Sequence, residues 1–182
     1  QQMVRDWSRQ STGLSRYAHR NNTLDWLLRR RKERFPNTCR IVETGCSRSS
    51  EDWSAGYSTY IFSVLADSIS GVSLLSIDHN QSHLDTARSV IGGWHGNVEF
   101  QCSDSIEGLK RLTIQPDILF LDSWDSDAPG HAEHGLAEVI AAEPHLHSGS
   151  IIVYDDTVWE RSSWKGKGAM GVPYLLSSGW KI

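Results

Sequence analysis

The chain has 182 residues, with 22 acidic against 18 basic side chains and a formal net charge of -4. That length suits one domain with a sizeable core, and a net negative charge gives no positive field to hold a nucleic-acid backbone. Its apolar runs are too short for a membrane span or a signal-peptide core, so the sequence predicts a soluble protein acting on a small molecule. The three cysteines Cys39, Cys46 and Cys102 form no CxxC pair, which points to a reducing cytoplasm.

From the N-terminus, Asn22 or Thr23 is placed to cap a helix through Leu24, Leu27 and Leu28 that ends near Pro36. Its basic run, Arg29, Arg30, Arg31 and Lys32, reads as a solvated face, with phosphate binding as the other use of such a cluster. Short apolar runs rich in β-branched residues predict five strands, at 40–44, 73–77, 98–102, 117–121 and 150–154. Between them, Tyr57, Tyr60, Ile61, Val64, Leu65 and Ile69 repeat at helical spacing, as do Leu136, Val139, Ile140 and Leu146. Strands alternating with helices predict an α/β fold: a doubly wound, mostly parallel sheet, with residues 1–38 as an N-terminal helical cap and 39–182 as the core of one domain.

Ligands of such sheets bind beyond the carboxyl ends of the strands. The first strand runs through Glu43 into Gly45, then a serine-rich loop, then Gly56-Tyr57-Ser58-Thr59 opening a helix. The spacing is not GxGxxG, and a tight βα connection would also explain the glycines. The second strand ends at Asp78, roughly twenty residues after Gly56, where a carboxylate can take the two hydroxyls of a ribose. After the third, Asp104 can accept from an exocyclic amine and can also cap the next helix. Asp122 ends the fourth strand, and Asp155 with Asp156 ends the fifth. Three carboxylates in one crevice repel one another unless a proton or a cation neutralises them, and a hard divalent ion such as magnesium suits the ligand set. The plainer alternative is that Asp122 touches only a cofactor while Asp155 and Asp156 cap a loop.

The segments IVETG, GYST, LLSIDHN, VEFQCSDS, DILFLDSWD and IIVYDDT, between about Arg40 and Thr157, resemble class I S-adenosylmethionine-dependent methyltransferases. In order and spacing they are most similar to metal-dependent O-methyltransferases of the catechol O-methyltransferase type and the macrocin O-methyltransferase-like group. The resemblance implies a Rossmann-like fold and S-adenosyl-L-methionine as cofactor. It implies that Glu43 and Gly45 lie along the methionine end, with Gly56, Tyr57 and Ser58 at the amino-acid part. Asp78 and His79 would stand at the ribose, Asp104 and Ser105 at the adenine, and Asp122 and Trp124 beside the reacting centre. It implies Asp122, Asp155 and Asp156 as ligands of Mg2+ or another divalent cation, which would lower the pKa of an acceptor hydroxyl and fix its position. The chain departs from that pattern in the long loop from Cys46 to Ala55.

It departs again after the FLD-x-W motif, where Asp125 stands in place of the lysine such enzymes often carry. The base candidates are Asp125, His131 and His134, with His134 favoured by its place at a helix start; bonding to backbone or Glu138 is its structural alternative. The pairs His79/His83 and His145/His147 lack a third zinc ligand at suitable spacing. Lys165-Gly166-Lys167-Gly168 reads as a mobile loop near the substrate entrance, and Trp7, Trp53, Trp124, Trp159 and Trp164 as loop or terminal aromatics. Acceptor contacts are expected around Trp7, Tyr17 and Trp159 to Lys167. Such a family usually closes with an antiparallel strand pair, and a missing last strand would leave an edge for a second copy, so a homodimer is among the expectations. Three other readings remain: a nicotinamide oxidoreductase, a non-catalytic cofactor-binding domain, and a natural-product hydroxylase-like enzyme on the same fold.

Overall fold

A computed structural model describes residues 18–49, 57–92 and 96–182. Trp7, Tyr17, Trp53 and Gly56 lie outside the described residues. Helix α1 (Ala18–Arg34) precedes strand β1 (Cys39–Thr44), followed by α2 (Tyr57–Ser68), β2 (Val72–Asp78), α3 (Gln81–Val90), β3 (Val98–Cys102), α4 (Ser105–Lys110), β4 (Ile118–Leu121), α5 (His131–Ala142) and β5 (Ile151–Tyr154). A 3-10 turn (Glu143–His145) after α5, a hairpin of β6 (Thr157–Glu160) and β7 (Ser163–Gly166), and a helix α6 (Gly171–Ser177) complete the described elements.

The five predicted strands form one parallel sheet in the order β3-β2-β1-β4-β5. Chain direction across the sheet reverses between β1 and β4, the place where open α/β sheets leave a crevice. Register brings the strand ends into line: Thr44 pairs with Ile77 and Leu121, Asp78 with Cys102, and Leu121 with Tyr154. Alternation along the strands then sorts the core onto two faces. Ile41, Leu74 and Phe120 pack with Leu24, Leu27 and Phe62 on one face, and Val42, Leu119 and Leu121 pack with Leu109, Val139 and Leu175 on the other. A sheet covered on both sides is why these strands read as continuous apolar runs.

Three expectations need correction. α1 starts at Ala18, so Asn22 and Thr23 lie inside the helix and do not cap it. Within its basic run Arg31 is buried, four residues after buried Leu27, and its guanidinium donates to the Pro36 carbonyl; Arg29, Arg30 and Lys32 are exposed as predicted. The segment read as a mobile loop is β7 and the residues after it, and Trp159 and Trp164 face each other across the hairpin with ring centroids 5.0 Å apart. Arg161 and Ser162, both at positive φ, make its two-residue turn, whose left-handed backbone matches the twist of the strands it joins.

Candidate active site at the carboxyl edge

Main-chain hydrogen bonds draw the strand ends together just past the sheet. Gly45 N donates to Ile77 O, Asp122 N to Thr44 O, Ser103 N to Asp78 O and Asp155 N to Leu121 O, at 2.8 to 3.0 Å. Gly45 sits at φ +80, and a Cβ there would lie 2.6 Å from the Asp122 carbonyl oxygen, so only glycine lets β1 turn this close to β4.

Glu43 supports this edge from beneath. It is fully buried, and its two oxygens accept from the hydroxyls of Ser58, Thr59 and Ser76, the Thr59 and Ser76 bonds measuring 2.8 and 2.9 Å. Burial pushes its carboxyl up to about 7 despite those three donors, which pull it down. Glu43 thus ties β1 and β2 to the start of α2 and exposes no surface to a ligand. The Ser58 hydroxyl is spent on this anchor. Tyr57, also buried, stacks on Tyr60 at 6.0 Å.

Asp78 is 7% exposed and oriented from several sides. Its Oδ1 accepts from Asn80 N at 2.8 Å and lies 3.2 Å from His83 Nδ1, while Oδ2 accepts from Cys46 N at 3.2 Å. His79 is largely exposed beside it, 3.7 Å from the same Oδ1. Asp104 is the N-cap of α4, accepting from Glu107 N at 3.1 Å, and Ser105 follows it, buried. Both uses foreseen for Asp104 remain compatible, since a carboxylate has lone pairs to spare.

His134 meets Ser105 and Ser123 at the top of α5. Its Nε2 lies 3.1 Å from Ser105 Oγ, 2.9 Å from Ser123 Oγ and 3.6 Å from Glu138 Oε1, and its ring lies 4.7 Å from that of Trp124. Ser123 has one hydrogen and gives it to Glu138 at 2.6 Å, so Nε2 donates to Ser123 and a neutral ring would carry its lone pair on Nδ1. Sequence reasoning named Glu138 as a partner but missed Ser123, whose only signal was its place directly after Asp122. Asp125 points elsewhere: more than half exposed, it pairs with Arg48 at 2.9 Å. His131 binds the Ala128 carbonyl oxygen at 2.9 Å. Of the histidine pairs, His83 belongs to Asp78, His145 lies on the Lys110 carbonyl and His147 on Asp117.

Asp122, Asp155 and Asp156 converge as the sequence implied, with one oxygen from each lying within 4.8 Å of the others. The cation beside them is Lys167. Its Nζ lies 2.5 Å from Asp122 Oδ1, 3.3 Å from the Asp122 carbonyl oxygen and 3.3 Å from Asp156 Oδ2, and its side chain is 5% exposed. Burial works against the ammonium, but the Asp122, Asp156 and Asp155 carboxylates together hold its pKa above the ordinary lysine value. Trp124 and Asp156, at the ends of β4 and β5, both adopt positive φ, uncommon for side chains other than glycine and asparagine.

Comparison with known proteins agrees with the fold. NSun6 from Pyrococcus horikoshii superposes with a TM-score of 0.54 at 20% identity, covering 79% of this chain and 38% of that one. A precorrin-6y C5,15-methyltransferase from Geobacter metallireducens gives 0.51 at 17% identity, covering 79% and 65%. The sugar N-methyltransferase KedS8 from Streptoalloteichus gives 0.50 at 16%, covering 82% and 52%. The chain spans about half the length of the first solved structures it matches, between 43% and 52%. A search of curated proteins gives no match. A family model described as a methyltransferase domain matches residues 53–157, more than half of the chain, and ends at the first residue of β6. The chain therefore belongs to the methyltransferase-domain family.

Proposed function

We propose that this chain binds S-adenosyl-L-methionine along the carboxyl edge of its sheet and transfers the methyl group to a hydroxyl of a small molecule. The observation that carries the reading is the alignment, on one edge beside the β1/β4 switch, of the groups a nucleoside-bearing cofactor needs. These are a close glycine turn, a helix N-terminus, and an oriented carboxylate at the end of β2. In this reading Gly45, Gly56 and the backbone of Tyr57 and Ser58 hold the amino-acid end. Asp78 with His79 takes the ribose, Asp104 with Ser105 takes the adenine, and Asp122 and Trp124 wall the reacting end. Glu43 acts through the elements it pins.

The cofactor supplies an electrophilic methyl carbon on a cationic sulfonium. What the chain adds is orientation, acidity at the edge and a route for the acceptor's proton. Carboxylates outnumber the ammonium there, which suits a sulfonium. As the acceptor oxygen attacks, the carbon–sulfur bond breaks and the hydroxyl proton leaves. His134 is the base candidate that the geometry favours, since Arg48 draws Asp125 to the surface.

A divalent ion was implied by the resemblance, and three carboxylates are a suitable donor set for one. The ammonium of Lys167 already bonds two of them, so an ion there would meet a like charge at close range.

The direct test supplies the protein with methyl-labelled S-adenosylmethionine and a panel of hydroxylated and amine-bearing small molecules. Label transferred to a hydroxyl compound, with His134→Ala reducing the rate about 100-fold, supports the proposal. Transfer to amines alone refutes the oxygen acceptor, and an unaltered rate in His134→Ala removes that residue as base.

A further inference from the structure

The acidic cluster and the buried lysine form one centre. We propose that Lys167 is the resident cation of that centre, a positioning residue that does for Asp122, Asp155 and Asp156 what a divalent ion would otherwise do. The protein would then bind no metal there and its chemistry would need none. This rests on the methyl-transfer reading only for its consequence for activity; the ion pairing itself stands on the geometry.

An ammonium has three hydrogens, and Lys167 has three oxygen neighbours for them: Asp122 Oδ1, the Asp122 carbonyl and Asp156 Oδ2. Burying a lysine costs several kcal/mol, which is recovered only when such partners are held in place. The chain is shaped to hold them. Gly166, at φ +83, lies so close to Asp156 that any Cβ would collide with its carbonyl oxygen, and a Cβ on Gly135 of α5 would collide with the Lys167 carbonyl. Gly168 N donates to Thr157 Oγ1 at 2.8 Å, fastening the chain just beyond the lysine to the first residue of β6. Thus β6 and β7 carry the chain out from Asp156 and back, and glycines on three sides admit the segment that delivers the ammonium. A divalent ion coordinated by these carboxylates needs oxygens at about 2.0 to 2.6 Å and would meet the Lys167 ammonium beside it as a like charge.

The experiment is titration with Mn2+, followed by the electron paramagnetic resonance signal of the free ion, with S-adenosylhomocysteine binding measured separately on the same samples. Wild-type protein is expected to leave the Mn2+ signal unchanged through the millimolar range, and methyl transfer to be insensitive to chelator. Lys167→Ala is expected to gain about one bound Mn2+ per chain, at least tenfold tighter than wild type, and Lys167→Ala with Asp155→Asn to lose it again. Lys167→Arg, which keeps the charge, should exclude Mn2+ as wild type does. Wild-type protein that binds one Mn2+ tightly, with Asp155→Asn abolishing it, overturns the proposal. So does a folded Lys167→Ala that gathers none. The wild-type titration decides the matter even where Lys167→Ala fails to fold. Absence of S-adenosylhomocysteine binding, with Mn2+ still excluded, would remove the methyltransferase reading and leave the resident cation standing.

Discussion

Asp78→Asn is expected to weaken binding of S-adenosylhomocysteine about 100-fold and to lower the thermal unfolding midpoint by about 2 to 4 °C, since its amide NH2 must face one of the two main-chain N–H groups that donate to the carboxylate. The expected loss follows from the number of bonds at stake. A ribose presents two hydroxyl donors, hydrogen bonds to a charged group contribute about 1.5 to 3 kcal/mol each, and a change of 1.4 kcal/mol is tenfold in affinity. Asn80 N, Cys46 N and His83 fix the carboxylate of Asp78 at the end of β2, so its orientation is set before any ligand arrives. Asparagine keeps the size and one acceptor oxygen but turns the other position into a donor. Calorimetric titration reads the affinity, and a thermal melt separates lost binding from lost fold. Undiminished affinity would remove Asp78 from the cofactor site.

Glu43→Ala is expected to lower the unfolding free energy by about 3 kcal/mol, because three buried hydroxyls lose their acceptor and each costs roughly 1 kcal/mol or more. Glu43 also makes stability depend on pH. Its carboxyl rises from 4.5 to about 7 in the folded protein, so near neutrality the folded state retains a proton that the unfolded state has released. Its contribution is fully present below about 4.5 and is lost as pH rises through about 7. At 1.36 kcal/mol per unit the whole window is worth about 3 kcal/mol. Urea unfolding at a series of pH values should show stability falling between those limits, and Glu43→Gln, which cannot titrate, should flatten the curve. An unchanged slope in Glu43→Gln would show that the group does not titrate in that range.

The sheet was legible because a doubly covered parallel strand must be apolar on both faces, which Ile41-Val42 and Leu119-Phe120 satisfy from opposite sides of the same strands. Strand ends were legible for the same reason: polarity returns where the sheet stops, at Asp78, Asp122 and Asp155. α3 gave a weaker signal, since only Leu84 and Ala87 of its ten residues are buried. The hairpin was hidden because Arg161 and Ser162 fill a left-handed turn that usually announces itself with asparagine and glycine. Lys167 was hidden most thoroughly. Its glycines read as looseness, whereas Gly166 marks close approach to Asp156, and the partners that bury the lysine lie 11 and 45 positions earlier in the chain. The sequence required the three carboxylates to be neutralised by a proton or a cation; only the fold shows the chain's own ammonium within reach.

His134 makes a similar case. Its place at the start of α5 was visible, but the pairing with Ser105 and Ser123 joins the ends of β3 and β4 across the sheet, and no local spacing encodes that contact.

Binding of S-adenosylmethionine at the carboxyl edge of this sheet is the property on which every proposed role there depends. Isothermal titration of the wild-type chain with S-adenosylhomocysteine, with NADH run in parallel, tests it most directly. One site per chain in the micromolar range is expected for S-adenosylhomocysteine and none for NADH. A chain that is folded and binds neither, or binds only NADH, would contradict it.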